Sequence, residues 1–286
     1  MDEKIYWIWL SRIQGIGSRK LNILLDNYKT LKNIWNASME DLIKIKGIGV
    51  KTAKLLLDKK YRLNLDKYIK YMTKNKIDII GINDVKYPKQ LKQIYDPPIA
   101  IYVKGNIEIL NNCFIGIVGG RNCSVYGKRI SMELSEYLSE NGINIVSGLA
   151  RGIDTYSHIG CIKGKSATVA VLGSGLNEIY PKENINLAKE IIKNGGAIIS
   201  EYTLGIKPDR LNFPARNRII SGLSNKIVVI EAGKKSGSII TADYALEQGK
   251  DIFVVPGNID SKNSEGSNEL IKEGAYIITK YDDLIY

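Results

Sequence analysis

The sequence predicts an α/β domain built on a doubly wound, mainly parallel sheet, preceded by a small all-α domain. Three observations predict it. From residue 113 onward, apolar strand-sized runs begin at intervals of roughly 25 to 30 residues, the spacing of repeated βα units. Glycine gathers where those runs end. Residues 1–75 instead carry their apolar side chains at helical intervals.

Taken in order, Ile5, Ile8 and Trp9, then Leu21, Leu24 and Leu25, then Ala53, Leu56 and Leu57 each fall on one helix face. Within this region Gly-Ile-Gly occurs twice, at residues 15–17 and 47–49, followed by the basic helix starts Arg19-Lys20 and Lys51. A glycine hairpin of this kind exposes backbone N–H groups at the second helix's start, where a phosphate can lie. Residues 1–64 hold 13 Lys/Arg against 6 Asp/Glu, so much of the positive excess sits here. A basic, solvated helical domain that touches only other protein domains is the competing reading. Residues 76–112 read as a connector leading into the sheet. It holds a short strand at 77–80, then Tyr87-Pro88, then Asp96-Pro97-Pro98, then an apolar segment at 99–103 that closes at Gly105.

Residues 113–286 form the sheet domain. Its runs begin near Ile115, Asn144, Thr168, Ala197, Lys226, Asp251 and Ala275. FIGIVGG, INIVSGL, TVAVLGSG, KIVVIEA and DIFVVPG are apolar almost throughout, as strands covered on both faces are. Between the first two, Ile130, Leu134, Tyr137 and Leu138 keep helical spacing, and Asn141-Gly142 supplies the stop.

Composition narrows the function. With 44% apolar and 25% charged residues the chain is globular, and its 286 residues are enough for two or more domains. No apolar run approaches the ~20 residues that cross a bilayer, and the start is no secretory signal. A cytoplasmic protein with no membrane partner is expected. Cys113, Cys123 and Cys161 form no CxxC pair and read as buried thiols. His158 is the one histidine, which argues against a zinc site or a catalytic triad; no GxSxG elbow accompanies it. A packed or capping role suits it better. No metal and no cofactor are expected. The net charge of +11 favours a polyanionic partner.

The candidate site lies where the strands end, because ligands of open parallel sheets bind beyond the carboxyl ends. Gly119-Gly120, Ser147-Gly148, Gly173 to Gly175, Gly233 and Gly257 cluster there. They allow close approach of phosphate or simply make tight βα turns. The first turn, Gly-Ile-Val-Gly-Gly-Arg at 116–121, departs from the dinucleotide fingerprint, and no GxxxxGK[ST] loop is present. Arg121, Arg151, Lys182, Arg216 and Arg218 stand at these edges and read as a phosphate surface. One or two of them are expected to be structural, paired with Asp154, Glu201 or Glu231. Ser236-Gly237-Ser238, after Lys234-Lys235, reads as a second anion cradle or as an ordinary serine cap.

Six segments in fixed order then carry a resemblance. SGLARGID (147–154), VLGSGLNEIYPKEN (171–184), FPARNRIISGLS (213–224), KKSGSIITA (234–242), PGNID (256–260) and GSNELIKEGA (266–275) resemble the DprA/Smf family of DNA-processing proteins. The connector resembles that family's entry to its Rossmann-like domain, and the two glycine hairpins resemble its helix-hairpin-helix, SAM-like N-terminal domain. The resemblance implies a non-enzymatic single-stranded DNA-binding protein that protects incoming DNA and helps load the RecA recombinase in natural transformation. It implies Arg121 and Lys182 as leading DNA contacts. Gly119, Gly120, Ser147, Gly148, Arg151, Gly152, Asn184, Arg216, Asn217, Arg218 and Ser236, Gly237 and Ser238 would support the phosphate path. It also implies a homodimer built through the end of the domain, around Leu246 and Asn268. Two departures stand out: the first turn reads Gly-Gly-Arg where relatives carry glycine, serine or threonine, then arginine, and no C-terminal winged-helix domain is expected here.

The competing enzyme reading is a nucleotide-processing hydrolase of the lysine-decarboxylase-like phosphoribohydrolase type. Those proteins carry PGGxGTxxE, which the glycine-rich segments at 231–238 and 256–258 do not reproduce. Glu231 and Asp154 are the acids placed to act as a base, and a structural role suits both better. A protein-interaction scaffold with incidental DNA affinity is the third reading.

Overall fold

A computed structural model describes residues 3–285. Seven short helices come first: α1 (Glu3–Ser11), α2 (Ser18–Tyr28), α3 (Leu31–Trp35), α4 (Met39–Lys44), α5 (Val50–Leu57), α6 (Lys59–Arg62) and α7 (Leu65–Lys74). Their breaks are local in origin. Thr30, Ser38 and Asp58 each turn a side-chain oxygen onto a backbone N–H of the helix that follows, satisfying a donor the first turn leaves free. Trp9 and Trp35 meet edge to face with centroids 5.0 Å apart, and the Arg62 guanidinium covers Trp35 at 4.3 Å. Burial lowers the Arg62 pKa, and its Nη2 donates to the Trp35 and Leu56 carbonyls.

The remainder alternates strand and helix. In chain order it runs β1 (Ile77–Gly81), α8 (Lys89–Lys92), β2 (Ala100–Gly105), β3 (Phe114–Val118), α9 (Val125–Glu140), β4 (Asn144–Ser147), α10 (Ile153–Lys163), β5 (Thr168–Val171) and α11 (Ile185–Lys193). Then come β6 (Ala197–Ser200), α12 (Asn212–Leu223), β7 (Lys226–Val229), α13 (Gly237–Glu247), β8 (Asp251–Val254), α14 (Glu265–Lys272) and β9 (Tyr276–Ile277). All nine strands form one sheet in the order β1-β2-β6-β5-β4-β3-β7-β8-β9. Strands β3 to β9 run parallel to one another, as the sequence pattern predicts. No helix among the described residues is long and apolar enough to cross a membrane.

The connector needs correcting. It is not a separate lead-in: β1 and β2 pair antiparallel, and β2 pairs antiparallel with β6, Tyr102 opposite Ser200. Ile101, Tyr102 and Val103 are buried, so this segment has the same reason to join the sheet as the later runs. Helices α9 and α10 cover one face around Ile115, Ile117, Leu134, Leu138 and Val228. On the other face one apolar core runs unbroken from Trp9 and Leu24 through Tyr102 to Ile220. The helical region is therefore fastened to the sheet. Ser11 Oγ lies 2.8 Å from the Tyr102 hydroxyl, and the Leu204 N–H donates to the Tyr68 hydroxyl at 2.5 Å.

Candidate nucleic-acid interface

The chain leaves the middle of the sheet at β3, winds outward through β4, β5 and β6, and returns to place β7 on β3's other side. The crevice between β3 and β7 is thus the topological switch point, where an open sheet receives its ligand. A cavity of about 690 Å³ opens there. Loops following β3, β4, β5, β6 and β7 all contribute to it.

Arg216, on α12, makes its floor. It is only 4% exposed. Nη1 donates to the Gly148 carbonyl at 2.7 Å and to the Val171 carbonyl, and Nε donates to Asn217 Oδ1 at 3.1 Å. Burial pushes its pKa down to about 10. The guanidinium lies so close over Gly148 that a Cβ there would stand 2.6 Å from it, which is why this position takes glycine. Asp154 holds the same loop from the other side, accepting the Gly148 and Ala150 N–H groups at 3.2 and 3.3 Å. Burial raises its pKa, against the pull of Arg216. The loop then turns at Gly152, whose φ of +76 is left-handed and whose missing Cβ admits the Gly120 carbonyl.

Around this floor, cationic and aromatic groups share the walls. The Arg121 guanidinium lies 5.2 Å from the centre of the Phe213 ring, and Tyr180 packs on the same ring at 5.8 Å. Arg210 and Lys235 are exposed at the rim. Ser236 caps α13, its hydroxyl 2.7 Å from that of Ser238, while Asn217 Nδ2 donates to the Gly237 carbonyl at 3.0 Å. Gly119, Arg121, Arg216, Asn217, Ser236, Gly237 and Ser238 from the sequence reading are therefore brought together in one cavity.

Other predicted residues shape the cavity from behind. The Gly120 N–H donates to the Glu231 carbonyl at 2.6 Å. Ser147 is buried, its hydroxyl on the Ile117 carbonyl at 2.6 Å. Asn184 is buried and ties the Leu149 carbonyl to the Thr155 hydroxyl, at 2.9 and 2.8 Å. Arg151 is exposed, lines a smaller hollow beside Tyr180 and Pro181, and is ion-paired with Glu183. Lys182 is exposed one residue beyond Pro181 and does not line either hollow.

Arg218 requires a correction. It points away from the strand-end cavity, meeting both Glu201 carboxylate oxygens at 2.7 Å and the Asp96 carbonyl at 3.0 Å. It stands two positions along α12 from Arg216, and on a helix that spacing turns side chains to different faces. It is one of the arginines that the sequence expects to be structural, paired with Glu201. Glu201 and Arg218 also line a groove of about 340 Å³ that ends on the first glycine hairpin, and Asp96 Oδ1 lies 3.5 Å from where a Cβ of Gly17 would be. At the second hairpin nothing lies within 4 Å of a Cβ at Gly49, while one at Gly47 would stand 3.0 Å from Ile23.

Leu246, on α13, is 58% exposed. Asn268 is turned inward, its amide exchanging two hydrogen bonds with Gly257 at 3.2 and 3.0 Å. His158 is fully buried with Nδ1 2.7 Å from Thr168 Oγ1, and burial together with the Arg216 charge depresses its pKa to about 3. It is a neutral packed side chain. Sequence reasoning missed Tyr180, Arg210, Phe213 and Lys235 as lining residues. Tyr180 and Phe213 stood inside recognised segments, and Lys235 beside the serine cradle, but Arg210 carried no signal.

Residues 78–286 match the family described as DNA recombination-mediator protein A, and residues 10–59 match the SAM-like helix-hairpin-helix tandem. The chain is 37% identical to protein Smf of Synechocystis sp. over 288 residues, which span 99% of this chain and 72% of that protein. The DNA processing protein A structure from Streptococcus pneumoniae superposes with a TM-score of 0.83 at 32% identity, over 98% of this chain and 96% of that one. DNA processing protein A from Helicobacter pylori, solved for its single-stranded DNA binding mode, aligns with a TM-score of 0.66 at 30% identity, over 73% and 94%. A match that takes in the sheet almost entire settles the relationship: the chain belongs to the DNA recombination-mediator protein A family, the DprA/Smf proteins.

Proposed function

We propose that this protein grips single-stranded DNA in the cavity at the β3–β7 switch point and catalyses no reaction there. The observation that carries the reading is the shared wall: Arg121 on the face of Phe213, with Tyr180 beside it and Arg210 and Lys235 at the rim. Splayed bases stack on aromatic faces while phosphates follow cations, and a duplex hides the faces of its bases. The single-stranded DNA binding of the H. pylori relative supports the same reading. Family membership carries the further proposals that the bound strand is protected and handed to the RecA recombinase in natural transformation. The test is binding to oligo-dT and to a duplex of equal length across a salt series, with AMP and ATP hydrolysis assayed in parallel. Oligo-dT should bind more tightly, with log K falling linearly in log salt and no turnover. Equal affinity for both forms, or turnover lost in Glu231→Gln, would overturn the reading.

The dimer is also a proposal. Leu246 projects from α13, and Tyr276 and Ile277 are exposed on β9, the outermost strand of the sheet. A two-fold axis there would bury the same patch from each copy. Leu246→Asp is expected to shift the protein from dimer to monomer in light scattering at tens of micromolar. A dimer that persists in this variant places the interface elsewhere.

A further inference from the structure

The longest helix among the described residues, α9, begins directly behind the Arg121 loop, at the switch point. In doubly wound sheets such a helix start, rich in free N–H groups and positive in potential, is where a nucleotide's phosphate settles. Here the position is filled from within. Glu231, at the end of β7, is 3% exposed, and its carboxylate accepts the Ser124 N–H at 2.8 Å and the Ser124 hydroxyl at 2.5 Å. Ser124 is the cap of α9 and accepts in turn from the Gly127 N–H at 3.0 Å. The fit is close: a Cβ on Gly127 would stand 2.4 Å from Glu231 Oε2. Glu231 has no ion-pair partner among the described residues. Ordinarily a buried carboxylate is held by a cation. This one is held by a helix terminus and a serine.

We propose that Glu231 is a built-in anion occupying the nucleotide-phosphate position of α9, and that it sets the specificity of the site. Because that position is taken, a free nucleotide has no terminal phosphate seat behind the Arg121 loop. The phosphates of a strand must instead pass outside it, along Arg121 and the start of α13. Glu231 also positions Arg121, since its carbonyl holds Gly120 and its carboxylate holds Ser124 on either side of that residue. This inference rests on the DNA-binding reading above for its effect on strands, though not for its effect on small anions.

Two variants test it. Glu231→Gln keeps the shape and removes one negative charge near the proposed DNA path. If Glu231 were merely a nearby acid, losing it would tighten DNA binding by simple electrostatics. A positioning role predicts the opposite sign: oligo-dT binding roughly 10- to 150-fold weaker, about the loss of one charge-assisted hydrogen bond. Glu231→Gly, purified in formate, leaves a carboxylate-sized vacancy. Formate should raise its melting temperature and restore its oligo-dT binding, while sodium chloride at equal ionic strength does neither and the wild type responds to neither. Unchanged or tighter DNA binding by Glu231→Gln would overturn the positioning role. Failure of formate to stabilise Glu231→Gly would overturn the built-in anion. If the wild type binds no strand at all, the proposed function fails, and the formate response still decides whether the anion seat exists.

Discussion

Phe213→Ala should weaken oligo-dT binding by about 1–3 kcal/mol, or roughly 5- to 150-fold, which is the worth of one base stacked on an aromatic ring. Phe213 forms the shared face of the wall, with Arg121 on one side and Tyr180 against it. Its loss removes stacking and the support of both neighbours, yet removes no charge. The salt slope should therefore stay as in the wild type. Arg121→Ala should also weaken binding, and it should flatten the slope by about 0.7, the value for one phosphate contact on a single strand. Lys182→Ala, exposed beside the cavity, should flatten the slope with a smaller loss of affinity. Lys59→Ala, on α6 and outside the lining of the cavity, should change neither. If Phe213→Ala alters only the slope, or Lys59→Ala matches Arg121→Ala, general positive charge and not this wall holds the DNA.

Gly152→Ala should be the most damaging small substitution in the sheet domain. Its φ of +76 is costly for any L side chain, about 1–3 kcal/mol. Its new Cβ would also meet the Gly120 carbonyl at 2.2 Å and the Arg121 carbonyl at 2.6 Å, which calls for a further ~1–3 kcal/mol of overpacking. The two loops cannot both keep their places, so strand binding should fall with stability. Gly195→Ala separates the two costs, because its φ is +79 but nothing lies within 4 Å of the added carbon. In urea unfolding, Gly152→Ala should lose clearly more than Gly195→Ala. Equal losses would show that backbone conformation alone requires glycine at 152.

The parallel strands were legible because a strand covered on both faces leaves an unbroken apolar run, and β3, β4, β5, β7 and β8 all do. The antiparallel edge was harder to read. Apolar residues at 99–103 announce a buried strand, but nothing in them says that β2 runs against β6, since that choice is made by a segment almost a hundred residues away. Among the arginines, spacing could not separate Arg216 from Arg218. One lies under the cavity and the other binds Glu201 because α12 rotates them apart, and only the partner positions reveal which is which. Phe213 and Tyr180 were hidden for a related reason: an aromatic residue in a sequence reads first as core, and its exposure to a cavity depends on loops folded around it.

The crossing between β3 and β7 has a consequence for the order of events on the ribosome. Ser124 and Glu231 are 107 positions apart in the chain, yet they close one hydrogen-bonded unit. While the chain is being made, the β3 turn and the start of α9 emerge long before the acid that completes them. Contacts of such long range carry the largest loop-closure cost and form late. A nascent chain can thus assemble β3 through β6 and still lack both the floor given by α12 and the second wall given by α13. The cavity is completed only once α13 has been made, and a chain broken off before residue 231 has the Arg216 floor and the Arg121–Phe213 wall but lacks Glu231, Lys235 and the Ser236 cap.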